Sequence, residues 1–122
     1  MEEDLGQSFK DLIVWQRAVQ LSLAVYKLTA SFPESERFGL TNQMRRASVS
    51  IASNIAEGYG KSSRGEYVVF LGHARGSDCE LQTQLMIAEG LGFGSEKLRS
   101  STSELCNEVS RMLVAMMSKL KR

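Results

Sequence analysis

This chain predicts an all-α fold, an antiparallel up-down-up-down four-helix bundle, and three observations carry that reading. Turn-forming clusters divide its 122 residues into four long segments of comparable length. Within each segment apolar residues recur at steps that alternate between four and three, the spacing that keeps one helix face turned to a core. Strand-like alternation with a period of two appears nowhere at useful length.

Residues 1–8, acidic and polar, are expected to form a flexible N-terminal tail ahead of a bundle over residues 9–122. Ser8, with Asp11 three residues later, resembles a capping box at the first helix start. Val14, Ala18, Leu21, Val25, Leu28 and Phe32 then make a heptad seam, which Leu12, Trp15, Val19 and Tyr26 widen. The run Phe32-Pro33-Glu34-Ser35-Glu36, holding the only proline, ends this segment. The second segment buries Leu40, Met44, Ala47 and Ile51, flanked by Ala52 and Ile55, and stops at Gly58-Tyr59-Gly60-Lys61-Ser62-Ser63. Ser63 and Glu66 again have capping-box spacing. The third seam runs Tyr67, Leu71, Ala74, Asp78, Leu81, Leu85 and Ala88, and Gly90-Leu91-Gly92-Phe93-Gly94 closes it. Ser95 is placed to cap the fourth segment, whose seam is Leu98, Thr102, Leu105, Val109, Met112 and Met116, beside Cys106, Leu113 and Leu120. Gly58, Gly60, Gly90 and Gly92 suit helix ends. Lys119, Lys121 and Arg122 suit the negative end of the last helix dipole. Helices of this length run about 30 to 37 Å, and short connections make neighbours antiparallel.

The second and third segments are crowded with small residues: Ala47, Ser48, Ser50, Ala52, Ser53 and Ala56 on one, Gly65, Gly72, Ala74, Gly76 and Ser77 on the other. Mid-helix glycine costs roughly 1 kcal/mol relative to alanine. Either these two helices pack closely, or the small face admits another subunit or a nucleic-acid backbone.

Composition excludes several function classes. The net charge of +1 and 43% apolar content suit a globular domain, not a disordered chain. Cys79 and Cys106 lie in no CxxC pair, so neither a disulfide scaffold nor a zinc knuckle is expected, and both read as small apolar residues in a reducing cytoplasm. The acidic start is not expected to act as a signal peptide, and no apolar run approaches the roughly 20 residues that span a bilayer. No membrane role is therefore expected.

Chemistry is hard to place. His73, the only histidine, has Phe70 three positions before it, so the Glu-x-x-His pairs of a di-iron bundle are missing. His73 and Cys79 are six apart and sit on different helix faces. The sequence contains no P-loop and no Gly-x-Gly-x-x-Gly, so neither cofactor nor metal is expected. The remaining feature is basic charge. Between Arg37 and Arg75 stand six basic residues, Arg37, Arg45, Arg46, Lys61, Arg64 and Arg75, against two acidic ones, Glu57 and Glu66, a net +4. Such a group either contacts nucleic-acid phosphates or is solvated and internally paired. Asn54 and Asp78 interrupt the apolar seams, and Arg75 or Arg46 is the expected partner of Asp78 if that carboxylate is buried.

Four stretches together resemble the bacterial 23S rRNA intervening-sequence proteins, a four-helix-bundle family. They are Phe9-Lys10-Asp11-Leu12-Ile13-Val14-Trp15-Gln16, the run from Phe38 through Met44-Arg45-Arg46 to Ile51, Asn54-Ile55-Ala56-Glu57-Gly58-Tyr59-Gly60, and Glu80-Leu81-Gln82-Thr83-Gln84-Leu85. The resemblance covers about Phe9 to Leu120, with two departures: Ala52 stands where the family often has proline, and Gly92-Phe93-Gly94 makes a looser third turn. It implies a non-enzymatic homo-oligomer, a pentameric ring, whose partners are RNA or a nucleic-acid-processing protein. A related bundle group serves reverse transcriptases of diversity-generating retroelements through a basic surface. The signature's polar residues Arg46, Asn54, Glu57, Glu80 and Gln84, with Asp78, are expected to form a structural polar network or part of a subunit interface. The alternative to nucleic-acid binding is a protein–protein scaffold.

Overall fold

The computed structural model describes residues 8–121. Among them stand four α-helices, α1 (Ile13–Thr29), α2 (Leu40–Tyr59), α3 (Arg64–Leu91) and α4 (Glu96–Leu120), with short 3₁₀ turns at Phe9–Asp11 and Glu34–Glu36. Each helix packs on its two neighbours in the order α1, α2, α3, α4 and back to α1, which is the antiparallel bundle the spacing predicts. Arg122 and the first seven residues of the expected tail lie outside the described residues.

The α1 and α2 seams become core, whereas on α4 the buried stripe is Thr102, Cys106, Val109 and Leu113, and Leu98, Leu105, Met112 and Met116 are only partly buried. Val14, Ala18, Leu21, Val25 and Leu28 of α1 are all buried, as are Met44, Ala47, Ile51 and Ile55 of α2. Leu71, Ala74, Leu81, Leu85 and Ala88 of α3 meet Cys106, Val109 and Leu113 of α4. Burying each such side chain contributes about 1.5 to 3 kcal/mol before chain entropy is charged against it. Thr102 is also buried, its hydroxyl donating to the Leu98 carbonyl at 2.7 Å, so its polar atom stays satisfied inside the seam.

Helix ends mostly agree with the sequence. Ser63 accepts from the Glu66 N–H at 3.1 Å. Ser95 accepts from the Leu98 N–H at 3.1 Å. Ser8 makes a capping box with Asp11, but it caps the 3₁₀ turn Phe9–Asp11, and the extended Leu12 separates that turn from α1. Gly90 lies inside α3, and Gly92 is its terminator, at φ +70°. There the Phe93 N–H reaches the Ala88 carbonyl and the Gly92 N–H the Glu89 carbonyl, the paired bonds of a Schellman ending.

The α3–α4 turn then folds onto the end of α1. Gly94, at φ +76°, brings its backbone so close that a Cβ there would stand 2.6 Å from Leu28 Cδ1. Phe93 stacks at a tilt on Phe32, centroids 5.5 Å apart. Arg99 Nη1 donates to the Phe93 and Gly94 carbonyls at 2.7 and 2.6 Å.

The α2–α3 approach rests on fewer small residues than expected. Gly58 sits against Phe70 and Tyr67, and the Ser50 and Ser77 hydroxyls share a hydrogen bond at 3.0 Å. Gly65 and Gly76 have open space where a side chain would go, and Gly72 faces Met117 of α4. The glycines of α3 therefore do not make the α2 contact.

Candidate nucleic-acid interface

The first half of α2 and the second half of α1 form a surface that combines polar and apolar side chains. Position 45 falls on the edge of the α2 core stripe, one residue past Met44, so its side chain lies along α1 instead of entering the core. Arg45 Nε donates to Thr29 Oγ1 at 2.9 Å, and its guanidinium lies over the Tyr26 ring, 4.6 Å from the centroid. Thr29 donates its own proton to the Val25 carbonyl at 2.8 Å, which leaves its oxygen to accept from Arg45. Tyr26, Asn42, Arg45, Arg46, Val49 and Ser50 line one open recess of about 520 Å³. Arg46, Asn42 and Ser50 also border a second, with Gln43, Ala47, Ser77 and Glu80. Arg45 borders a third, with Arg37. Arg37, Arg45 and Arg46 thus line adjoining recesses at the start of α2.

The other expected basic residues lie elsewhere. Lys61 lies just past the end of α2, with its ammonium over the Phe70 ring at 4.8 Å. Arg64 opens α3, and Arg75 is exposed in its middle. Along the helix axis, Lys61 is about 20 Å from Arg45. That is about two Debye lengths at physiological salt, so the two ends do not act as one field. Arg37 is tied to Glu34 at 3.2 Å and stacks over Phe38.

The expected polar residues divide. Asn54 donates to the Ser50 carbonyl and hydroxyl at 2.8 and 3.0 Å, and through Ser50 it joins Ser77 across the α2–α3 seam. Arg46, Glu57 and Glu80 are exposed, while Gln84 is buried with its Oε1 unpartnered among the described residues. Asp78 is fully buried. Neither Arg75 nor Arg46 reaches it, because it lies on the α4 side of α3, where Cys106 Sγ donates to its main-chain carbonyl at 3.7 Å. Its carboxylate accepts from Gln82 Nε2 at 2.6 Å, and Oδ2 has no partner among the described residues. Burial pushes this carboxyl above the usual carboxylate range, against the smaller opposing pull of Gln82 and Cys106. Cys106 is buried, and desolvation, reinforced by Asp78, drives its thiol above the ordinary thiol range. Cys79 is exposed.

An apolar groove continues the same α1–α2 face toward the other end of the bundle. Trp15, Val19, Leu23, Val49, Ala52 and Ala56 line it, and Leu23 is 66% exposed. Among the described residues no cluster of three histidine, cysteine or acidic side chains is placed to hold a metal. None of the described helices is long and apolar enough to cross a membrane. Sequence reasoning missed Tyr26, Thr29 and Asn42 as neighbours of Arg45. Tyr26 was legible as part of an apolar stripe, but no sequence signal shows which α2 side chain crosses it.

With this geometry in hand, comparison with known proteins places the chain. The family model described as 23S rRNA-intervening sequence protein matches residues 10–115. A crystal structure of a protein of unknown function from the S23 ribosomal protein family, from Bacteroides thetaiotaomicron VPI-5482, has the same fold. It aligns with a TM-score of 0.77 at 19% identity, covering 86% of this chain and 98% of that one. No curated protein matches the sequence.

Proposed function

The chain belongs to the 23S rRNA-intervening sequence protein family, and from that premise we propose that it is a non-enzymatic bundle module that self-assembles and binds structured nucleic acid. The observation that carries this reading is the run of adjoining recesses at the start of α2, lined by Arg37, Arg45 and Arg46. Arginine forks match phosphate oxygens, and each phosphate they neutralise releases counterions, so affinity falls with salt. The five-fold ring of the resemblance belongs to the same proposal, with the α1–α2 groove around Leu23 and Val49 as its apolar contact.

The test is binding of the purified protein to a structured RNA hairpin across a salt series, with its mass in solution recorded in parallel. Affinity that falls steeply with salt supports the reading. A defined oligomer without RNA affinity at low salt overturns it in favour of a protein scaffold, the second reading, which the exposed apolar groove favours.

A further inference from the structure

We propose that the α1–α2 recess lined by Tyr26, Asn42, Arg45 and Arg46 is a phosphate site for a polynucleotide backbone, with Arg45 as a pre-set fork and Arg46 as its exposed second donor. This rests on the nucleic-acid reading and selects, among six basic residues, the pair that does the binding.

Arg45 is held from two sides. Thr29 fixes its Nε edge, and Tyr26 supports one face of its guanidinium plane. Neither Nη1 nor Nη2 has a partner among the described residues, and Arg45 lines the recess that Asn42 and Arg46 share. An arginine already locked in plane loses little freedom when a phosphate docks, and its two parallel N–H groups meet two oxygens of one phosphate. Arg46 is the neighbouring charge. It is exposed and makes no hydrogen bond or ion pair with any described residue, so it is available to close over the same anion. Glu80 borders the adjoining recess with Arg46 and supplies the opposing charge that weakens the site. Lys61, over Phe70 at the far end of α2, takes no part.

The experiment uses the full chain, a fluorescent RNA hairpin and a salt series, with inorganic phosphate as a separate ligand and competitor. Arg46→Ala is expected to weaken RNA binding about tenfold and to make the log affinity against log salt slope shallower by about one phosphate. Arg45→Lys keeps the charge but loses the fork, and is expected to weaken binding comparably with the slope nearly unchanged. Glu80→Gln is expected to strengthen binding, and Lys61→Ala to leave it unchanged. Arg46 and Glu80 are exposed, so their variants should keep the helical circular dichroism of the parent.

RNA binding that survives Arg46→Ala and Arg45→Lys but falls in Lys61→Ala overturns the site and leaves the nucleic-acid reading standing. A parent protein that binds no RNA overturns both. Inorganic phosphate that binds the recess alone, with the RNA adding nothing, overturns the assignment to a polynucleotide.

Discussion

Replacing Gly58 by alanine pits helix propensity against packing. In a helix interior the change gains about 1 kcal/mol. Here the new Cβ would lie 2.8 Å from Phe70 Cβ, 3.1 Å from Tyr67 Cδ1 and 3.3 Å from the Tyr67 carbonyl. Carbon atoms pack best at about 3.5 to 4.0 Å. Phe70 Cβ is bonded directly to the α3 backbone and cannot rotate away, so α3 itself must shift by roughly 1 Å to restore that spacing. Such overpacking costs about 1 to 3 kcal/mol. The packing cost wins, and Gly58→Ala is expected to destabilise the bundle by about 1 kcal/mol. Gly76 has nothing within 4 Å of its added Cβ, so Gly76→Ala is expected to stabilise by up to about 1 kcal/mol. For a domain of this size 1 kcal/mol moves the thermal midpoint by about 4 °C. Thermal and urea melts of both variants, followed by far-UV circular dichroism, read the contrast. Two midpoints that rise together would refute the claim that Gly58 sets the α2–α3 distance.

Three further outcomes are expected from the core and the groove. The Asp78 carboxyl, raised by burial, holds its proton more tightly in the folded chain. Its stabilising contribution is therefore complete below the unfolded pKa and lost as pH rises through the folded one. Asp78→Asn is expected to remove that part of the pH dependence, so urea midpoints of parent and variant should converge on acidification; parallel curves would contradict it. A thiol reagent is expected to modify exposed Cys79 quickly and buried Cys106 only at the rate of opening, so equal rates in the native protein would count against the packing around Cys106. Leu23→Glu, on an exposed position of the α1–α2 groove, is expected to lower the mass in solution without changing helical content, and an unchanged oligomer would move the contact elsewhere.

The fold was legible because heptad spacing depends only on which residues are apolar. Val14 through Leu28, and Leu40 through Ile55, read directly as buried stripes and are buried. Features that depend on the mutual rotation of helices were not legible. The sequence offers an arginine partner for Asp78, yet its carboxylate meets Gln82, because nothing local states that it lies on the α4 side. The capping box at Ser8 is visible in the sequence, but such a box specifies a single turn, and Leu12 leaves the helical region directly after it. Of the small residues on α2 and α3, Gly58 and the Ser50–Ser77 pair carry the close approach, which depends on Phe70 and Tyr67 standing opposite. The arginines of the candidate site were readable as a basic run. The separation of Lys61 from Arg45 comes only from the length of α2, and the alignment of Arg45 over Tyr26 only from the packed pair.

The α3–α4 turn has a consequence for where foreign sequence can be placed. Phe93 and Gly94 act as a stopper pressed onto Leu28 and Phe32 and clamped by Arg99. Extra residues there would lift the stopper and unseal the end of the core. The link around Lys61 and Ser62 is exposed, with Lys61 over Phe70 and Ser62 donating to Glu66 at the surface. Since each doubling of a flexible loop costs only about 0.6 kcal/mol, an epitope or reporter peptide belongs between Lys61 and Ser62, where the bundle would carry it as a passenger.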